Sequence, residues 1–199
     1  MSGNVAMSDN VEFLGDSVSN YYYLSGGINS KFFGIVDVPM SFSLSDNKFT
    51  KNLAMPFNRF SVAPNYKDYT LYAGYNAMTF SKYTMNGHDY LGGGLGYAGT
   101  GTWNVEAFFG RLKKAVSPDS STSEAGYARI GGGVKIGYRT EKYEISANII
   151  KIKDREKSVD FQLFPEQYVQ PKDNFASSIA FTARPMANNF PCSKNIAWI

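Results

Sequence analysis

A chain of 199 residues can build one domain with a sizeable core, and a formal net charge of +3 is too small to argue for a nucleic-acid partner. The mean hydropathy is −0.29 and no stretch approaches the ~18 apolar residues of a membrane helix, so no helical span is expected. Cys192 is the sole cysteine, which excludes an intrachain disulfide and a Cys-based metal cluster.

The start of the chain, "MSGNVAMSDNVEF", has no basic segment followed by an apolar run and does not read as a signal peptide. Three situations fit that: a protein that stays inside, a mature form, or an internal piece. Residues 1–30 read as an N-terminal segment with one weak strand near "VSNYYYLSGG". From there to residue 184 alternation recurs in segment after segment. In "GIVDVPMSFSLS" (34–45), Val36, Val38, Met40, Phe42 and Leu44 share one parity. In 69–78 the shared set is Tyr69, Leu71, Ala73 and Tyr75, and in 103–109 it is Trp103, Val105, Ala107 and Phe109. Ala128, Ile130, Val134, Ile136 and Tyr138 oppose Arg129, Lys135 and Arg139. Tyr143, Ile145, Ala147 and Ile149 oppose Glu144, Ser146 and Asn148, with a phase slip near Ile149-Ile150 that suggests a bulge. Phe175, Ile179, Phe181 and Ala183 close the series, and 185–199 reads as a tail of unclear structure. No segment sustains a 3.6 period, so the fold class is all-β and antiparallel, with about eight strands.

Connections alternate in length. The links 98–102 and 140–142 are short, whereas 112–126 and 153–173 are long and polar, and 80–90 is intermediate. A meandering transmembrane β-barrel, or part of one, has this layout, with tight turns at one end and large loops at the other. Apolar parities of about 9 to 11 residues suffice for a tilted strand to cross a bilayer. Tyr97, Trp103, Tyr138 and Tyr143 flank the two short turns on the apolar parity and are expected to form a membrane-interface girdle. Small residues on the apolar parity, and Glu106, Arg129, Lys135 and Glu144 on the opposite one, favour a barrel over a soluble β-sandwich. These four are the candidates to face the lumen, where Glu106 and Lys135 could pair across it.

"GLGYAG" (94–99) matches the spacing of a dinucleotide-binding turn, but the residues after it alternate as a strand and offer no helix N-terminus to a phosphate. No nucleotide is therefore expected, and the glycines need another role. Gly92, Gly94 and Gly96, and Gly131, Gly133 and Gly137, each fall on one parity. They either bend the wall of a closed barrel, the favoured reading, or clear lumen space for a plug. His88 is read as a loop residue beside the turn signal Asn86-Gly87; no catalytic residue, metal site or cofactor is expected. Asp154, Glu156 and Glu141 read as a solvated rim.

Residues 55–95, "MPFNRFSVAPNYKDYTLYAGYNAMTFSKYTMNGHDYLGGGL", resemble a pattern of large outer-membrane proteins of Bacteroidota-type bacteria. In that pattern a "P-F-N-x-F-x-x-x-P-x-Y-K" turn precedes a "G-Y-x-x-M-x-F-S-x-Y-T-x-x-G" strand and loop. "FFGRLKKAV", "YARIGGGVKIGY" and "IKIKDREKSV" are similar to later motifs of the same family, in the same order. The resemblance spans roughly 31–184 and implies a surface-exposed β-barrel with large loops, located in the outer membrane, with the lipid bilayer and other envelope proteins as partners. It brings no catalytic residues. The family proteins are longer, so this chain looks like a partial copy. The expected function is a non-enzymatic outer-membrane barrel serving as pore, secretion-related channel or surface scaffold. The alternatives are a soluble β-rich binding or adhesion module and, behind it, a barrel-borne hydrolase.

Overall fold

The computed structural model describes residues 2–14, 17–45, 58–82, 84–99, 102–118, 125–183 and 192–198. Twelve strands form one antiparallel sheet: β1 (Ser2–Leu14), β2 (Ser17–Phe32), β3 (Val36–Ser45), β4 (Arg59–Val62), β5 (Asn65–Tyr66), β6 (Tyr69–Met78), β7 (His88–Ala98), β8 (Trp103–Lys113), β9 (Ala128–Arg139), β10 (Tyr143–Arg155), β11 (Asp173–Ala183) and β12 (Cys192–Trp198). Each strand pairs with its sequence neighbours, except that the two-residue β5 bridges β3 and β6 beside β4. The strands are a plain meander whose edges are β1 and β12, and no pairing joins those edges among the described residues.

The sheet runs past both bounds read from the sequence. Residues 1–30 supply two long strands instead of one weak one, and the 185–199 tail supplies β12. These segments lack clean alternation, so pairing with a neighbour, not local pattern, defines them. The expected bulge at Ile149-Ile150 is absent, since β10 runs in unbroken register with both β9 and β11. The register shift lies instead between Arg111 and Lys113 on β8. Ile150 was no slip of phase: it faces the other way because apolar partners wait there, at 1% exposure against 54% for Ile149.

Turn chemistry sets one end of the sheet. Ile35 N donates to Phe32 O at 3.0 Å, and Phe33 and Gly34 between them both have positive φ (51° and 68°). Two positive-φ centres make the tight turn that matches the twist of paired strands. Residues 67–68 and 140–142 make other short links at this end, where β7 also ends and β8 begins, while 79–82, 84–87, 114–118, 125–127 and 156–172 lie at the opposite end.

The sheet is rolled. Ser81, three residues past the end of β6, places its Oγ 3.1 Å from Ser178 Oγ on β11. Five strand spacings separate β6 from β11, about 24 Å along the sheet. Three residues plus two serine side chains and the hydrogen bond span at most about 18 Å. The wall must therefore curl to bring β11 within reach, and the face carrying these serines is the concave one.

Candidate functional site

The two faces of the wall differ in chemistry, level by level. On the convex face the register partners from β6 to β11 run Leu71, Leu95, Ala107, Val134, Ile149, Ser177 on one level and Tyr69, Tyr97, Val105, Ile136, Ala147, Ile179 on the next. Most of these apolar side chains are exposed, from 41% at Leu95 to 56% at Ile179, and Phe109 on the same face reaches 69%. At the short-turn end the rings of Tyr69 and Tyr97 lie 5.0 Å apart, Trp103 and Tyr138 4.9 Å, Tyr138 and Tyr143 6.2 Å, and Tyr143 and Phe181 6.5 Å. Tyr97, Trp103, Tyr138 and Tyr143 thus share one face and one end. Toward the long loops the same face turns charged, with Arg111, Lys151, Lys153 and Arg155. Between aromatics and charges the apolar band covers Trp103 to Phe109 on β8 and Tyr143 to Ile149 on β10. That is about 20–24 Å along the strand, shorter than the sequence pattern suggested.

The concave face is polar and glycine-rich, but not empty. One level runs Tyr72, Gly94, Phe108, Gly133, Ile150, Ala176, alternating large and small. The β6–β7 segment folds onto this level. Phe80 and Met85 join Met78, Tyr90, Phe108 and Ile150 in one buried cluster, with Phe80 and Phe108 rings edge-on at 5.5 Å and Tyr90 and Phe108 at 4.9 Å. The segment is closed on itself by Phe80 N donating to Met85 O at 2.8 Å. Glycine makes the room: a Cβ on Gly133 would stand 2.8 Å from Phe80 Cε2, and one on Gly94 2.6 Å from the Tyr90 hydroxyl. Gly92 and Gly110 instead press backbone against backbone between β7 and β8, where a side chain would meet the neighbour's carbonyl. Of the two roles left open by the sequence, clearance for an inserted segment, the less favoured one, is plain at Gly133, while Gly94 makes room for Tyr90 and Met78 of the wall itself.

Next to this cluster a ring of four polar side chains ties the segment to the wall. Asn148 Nδ2 donates to Ser178 Oγ (2.7 Å), Ser178 Oγ donates to Ser81 Oγ (3.1 Å), Ser81 and Thr84 hydroxyls meet at 2.8 Å, and Thr84 Oγ1 donates to Asn148 Oδ1 (2.9 Å). With Ser81 donating to Thr84 the ring runs in one direction, an arrangement in which each bond polarises the next. Asn148 and Ser178 are buried, at 2% and 3% exposure. The sequence reading passed over these residues; the available signal was apolar Phe80 and Met85 in a loop, facing Tyr90, Phe108 and Ile150 on the polar parity.

The four lumen candidates share this concave face but do not form one site. Glu106 and Lys135 are register partners on adjacent strands, paired side by side at 3.5 Å and not across the interior. Lys135 Nζ also donates to Thr79 O at 3.5 Å. Glu144 accepts two 3.0 Å bonds from Arg139 at the short-turn end. Arg129 grips Asp154 with Nε at 2.7 Å and Nη2 at 3.0 Å near the long loops. Arg129, Lys135 and Arg139 are strung along β9, roughly 13–20 Å apart.

Asp154 departs from the solvated rim expected of it. It is 5% exposed, lies beyond the apolar band, and accepts Lys172 N at 3.0 Å while its own N donates to Lys172 O at 2.8 Å. The Arg129 guanidinium holds its carboxyl below the usual value against the opposing effect of burial. Asp154 thus closes the long β10–β11 loop at its base. Within that loop Phe161 packs edge-on to Tyr127 (5.4 Å) and Tyr168 (5.7 Å), and burial pushes the Tyr127 phenol above its usual value.

His88 stands exposed at the start of β7, inside the strand and not in the loop, and Asp89 beside it pairs with Arg59. A cavity of about 500 Å³ between the β1–β4 and β6–β7 parts of the sheet is lined by Ser25, Ser41, Ser61, Asn76 and this Arg59–Asp89 pair. Among the described residues no group of three or more His, Cys, Asp and Glu side chains gathers at metal-binding distance, and no helix is long and apolar enough to cross a membrane. The glycine pattern at 94–99 ends β7 and leads into β8, with no helix after it. The chain matches no protein-family model, no curated protein and no solved structure in comparisons with each.

Proposed function

We propose that this sheet is the wall of an outer-membrane β-barrel, non-enzymatic, whose polar interior is a passage narrowed by the 79–87 segment and whose long loops stand at one rim. The observation that carries this reading is the inverted distribution of side chains: large apolar groups exposed on the convex face, ion pairs and buried hydroxyls on the concave one. Soluble monomers rarely expose large contiguous apolar patches, and here Leu, Ile, Val and Phe side chains between 41% and 69% exposed recur along the convex face from β6 to β11. Acyl chains cover such a face without penalty. The aromatic row at one margin suits the headgroup level, and Lys151 and Lys153 at the other can extend their stems to the opposite one. The order of motifs in 55–95 and beyond agrees with an outer-membrane origin. Lipid is the primary partner in this reading, with other envelope proteins at the loops. Because lipid cannot satisfy backbone N–H and C=O groups, the free edges of β1 and β12 must be paired in the membrane.

Trp103 reports on the proposal. In a Trp198→Phe chain, refolding with lipid vesicles shifts Trp103 emission to the blue, brominated lipid quenches it at headgroup depth, and the protein floats with the vesicles. A compact, monodisperse particle in plain buffer, with Trp103 emission unchanged by vesicles, would refute it.

A further inference from the structure

The interior offers more than a lining. Residues 79–82 and 84–87, between β6 and β7, lie over the concave face and touch β9, β10 and β11. Two different contacts hold them there. Phe80 fills the space cleared by Gly133, and Met85 joins it in the buried cluster with Met78, Tyr90, Phe108 and Ile150. Ser81 and Thr84 complete the ring with Asn148 and Ser178.

We propose that the 79–87 segment is an internal strap that closes the barrel passage, latched by the Ser81–Thr84–Asn148–Ser178 hydrogen-bond ring. This rests on the membrane reading above and adds its regulation. The geometry separates the strap's seat from its latch. The apolar seat keeps the segment on the wall; the ring fixes how far across the wall it reaches. A solute that enters the interior can exchange its own hydroxyls or amides for the ring's, because every member of the ring is a neutral donor and acceptor. Opening then needs no proton transfer and no charge movement. Small polar solutes carrying several hydroxyl or amide groups are the class that meets this latch. Lys135, which reaches both Glu106 and the Thr79 carbonyl, anchors the strap's first residue, so the part that swings is its middle, at Ser81 and Thr84.

The test uses the full chain with Cys192→Ser, inserted into vesicles. Flotation comes first and judges the membrane reading by itself. In floated protein, an impermeant maleimide labels Met85→Cys about tenfold or more slowly than His88→Cys, since Met85 is reached only through local opening. Adding Thr84→Ala to the Met85→Cys chain closes most of that gap. In planar bilayers Thr84→Ala raises conductance several-fold over the parent. Asn148→Ala does the same from the wall side, and Thr84→Ala leaves the wall intact should that variant not fold. Equal labelling at positions 85 and 88 overturns the strap. A conductance that Thr84→Ala leaves unchanged overturns the latch. Protein that fails to float yet shields Met85→Cys removes the membrane reading and the gating with it, while the seat of the segment on the wall stands.

Discussion

At the scale of single residues, the concave face works by contrast of size. Gly133 is flanked by Phe80 Cε2 at 2.8 Å, Ile149 O at 2.9 Å and Ile150 Cγ1 at 2.9 Å from where its Cβ would be. Gly93, on the convex face, has only Tyr72 O at 3.7 Å. The same substitution should therefore have opposite signs at the two sites. Gly133→Ala is expected to cost about 1–3 kcal/mol by overpacking. Gly93→Ala is expected to gain about 0.4–1 kcal/mol, because it narrows the unfolded ensemble without a clash. Urea titration of the vesicle-inserted variants measures both. The sequence showed that these glycines fall on alternate positions, but alternation does not say what fills the space opposite. Tyr90, Phe108 and Ile150 broke the parity pattern one at a time, and each looked local. Only the fold shows that all three belong to one buried cluster with two loop residues, Phe80 and Met85.

Elements are decided by pairing as much as by pattern. The strands from β6 to β11 were legible because each has one face on apolar surroundings and one on polar ones, which imposes a period of two. β1, β2 and β12 lack that signature and are strands by virtue of a partner alongside. Loop structure was less legible still: the charges of 153–173 suggested a solvated run, yet Asp154 is buried by its bond to Arg129 and by Lys172 across the loop base. That element makes its own prediction. The Asp154 carboxyl titrates below its ordinary value when folded, so its contribution is present above the ordinary carboxylate range and is lost as pH falls through the lowered value. Pepsin cleavage within 156–172 should rise across that acid step. Asp154→Asn should abolish the step and weaken the loop by about 2 kcal/mol at neutral pH, the worth of hydrogen bonds to a charged partner.

For the molecule as a whole, what matters is which side of the wall meets which medium. Ile149 and Ser146 lie on one strand and point to opposite sides. Ile149→Arg should cost about 2–4 kcal/mol if it stands near the bilayer midplane. Ser146→Lys, toward the polar interior, should cost a small part of that. Equal effects in folding titrations with vesicles would argue that both faces see water. All-β class, antiparallel meander and the two-faced wall were readable from 199 letters because the same alternation recurs strand after strand from β6 to β11. The strap and its latch were not, because they join positions as far apart as 81 and 178, and such meetings leave no period in a sequence.

The unequal lengths of the connections have a directional consequence. In the proposed membrane reading, a refolding chain added to preformed vesicles pushes the compact turns at 33–35, 67–68 and 140–142 through the hydrocarbon far more cheaply than the long β8–β9 and β10–β11 connections. Insertion from outside is vectorial in that reading: the wide rim is expected to stay on the side of addition, where an added protease trims every copy while the narrow rim is sheltered in the vesicle interior.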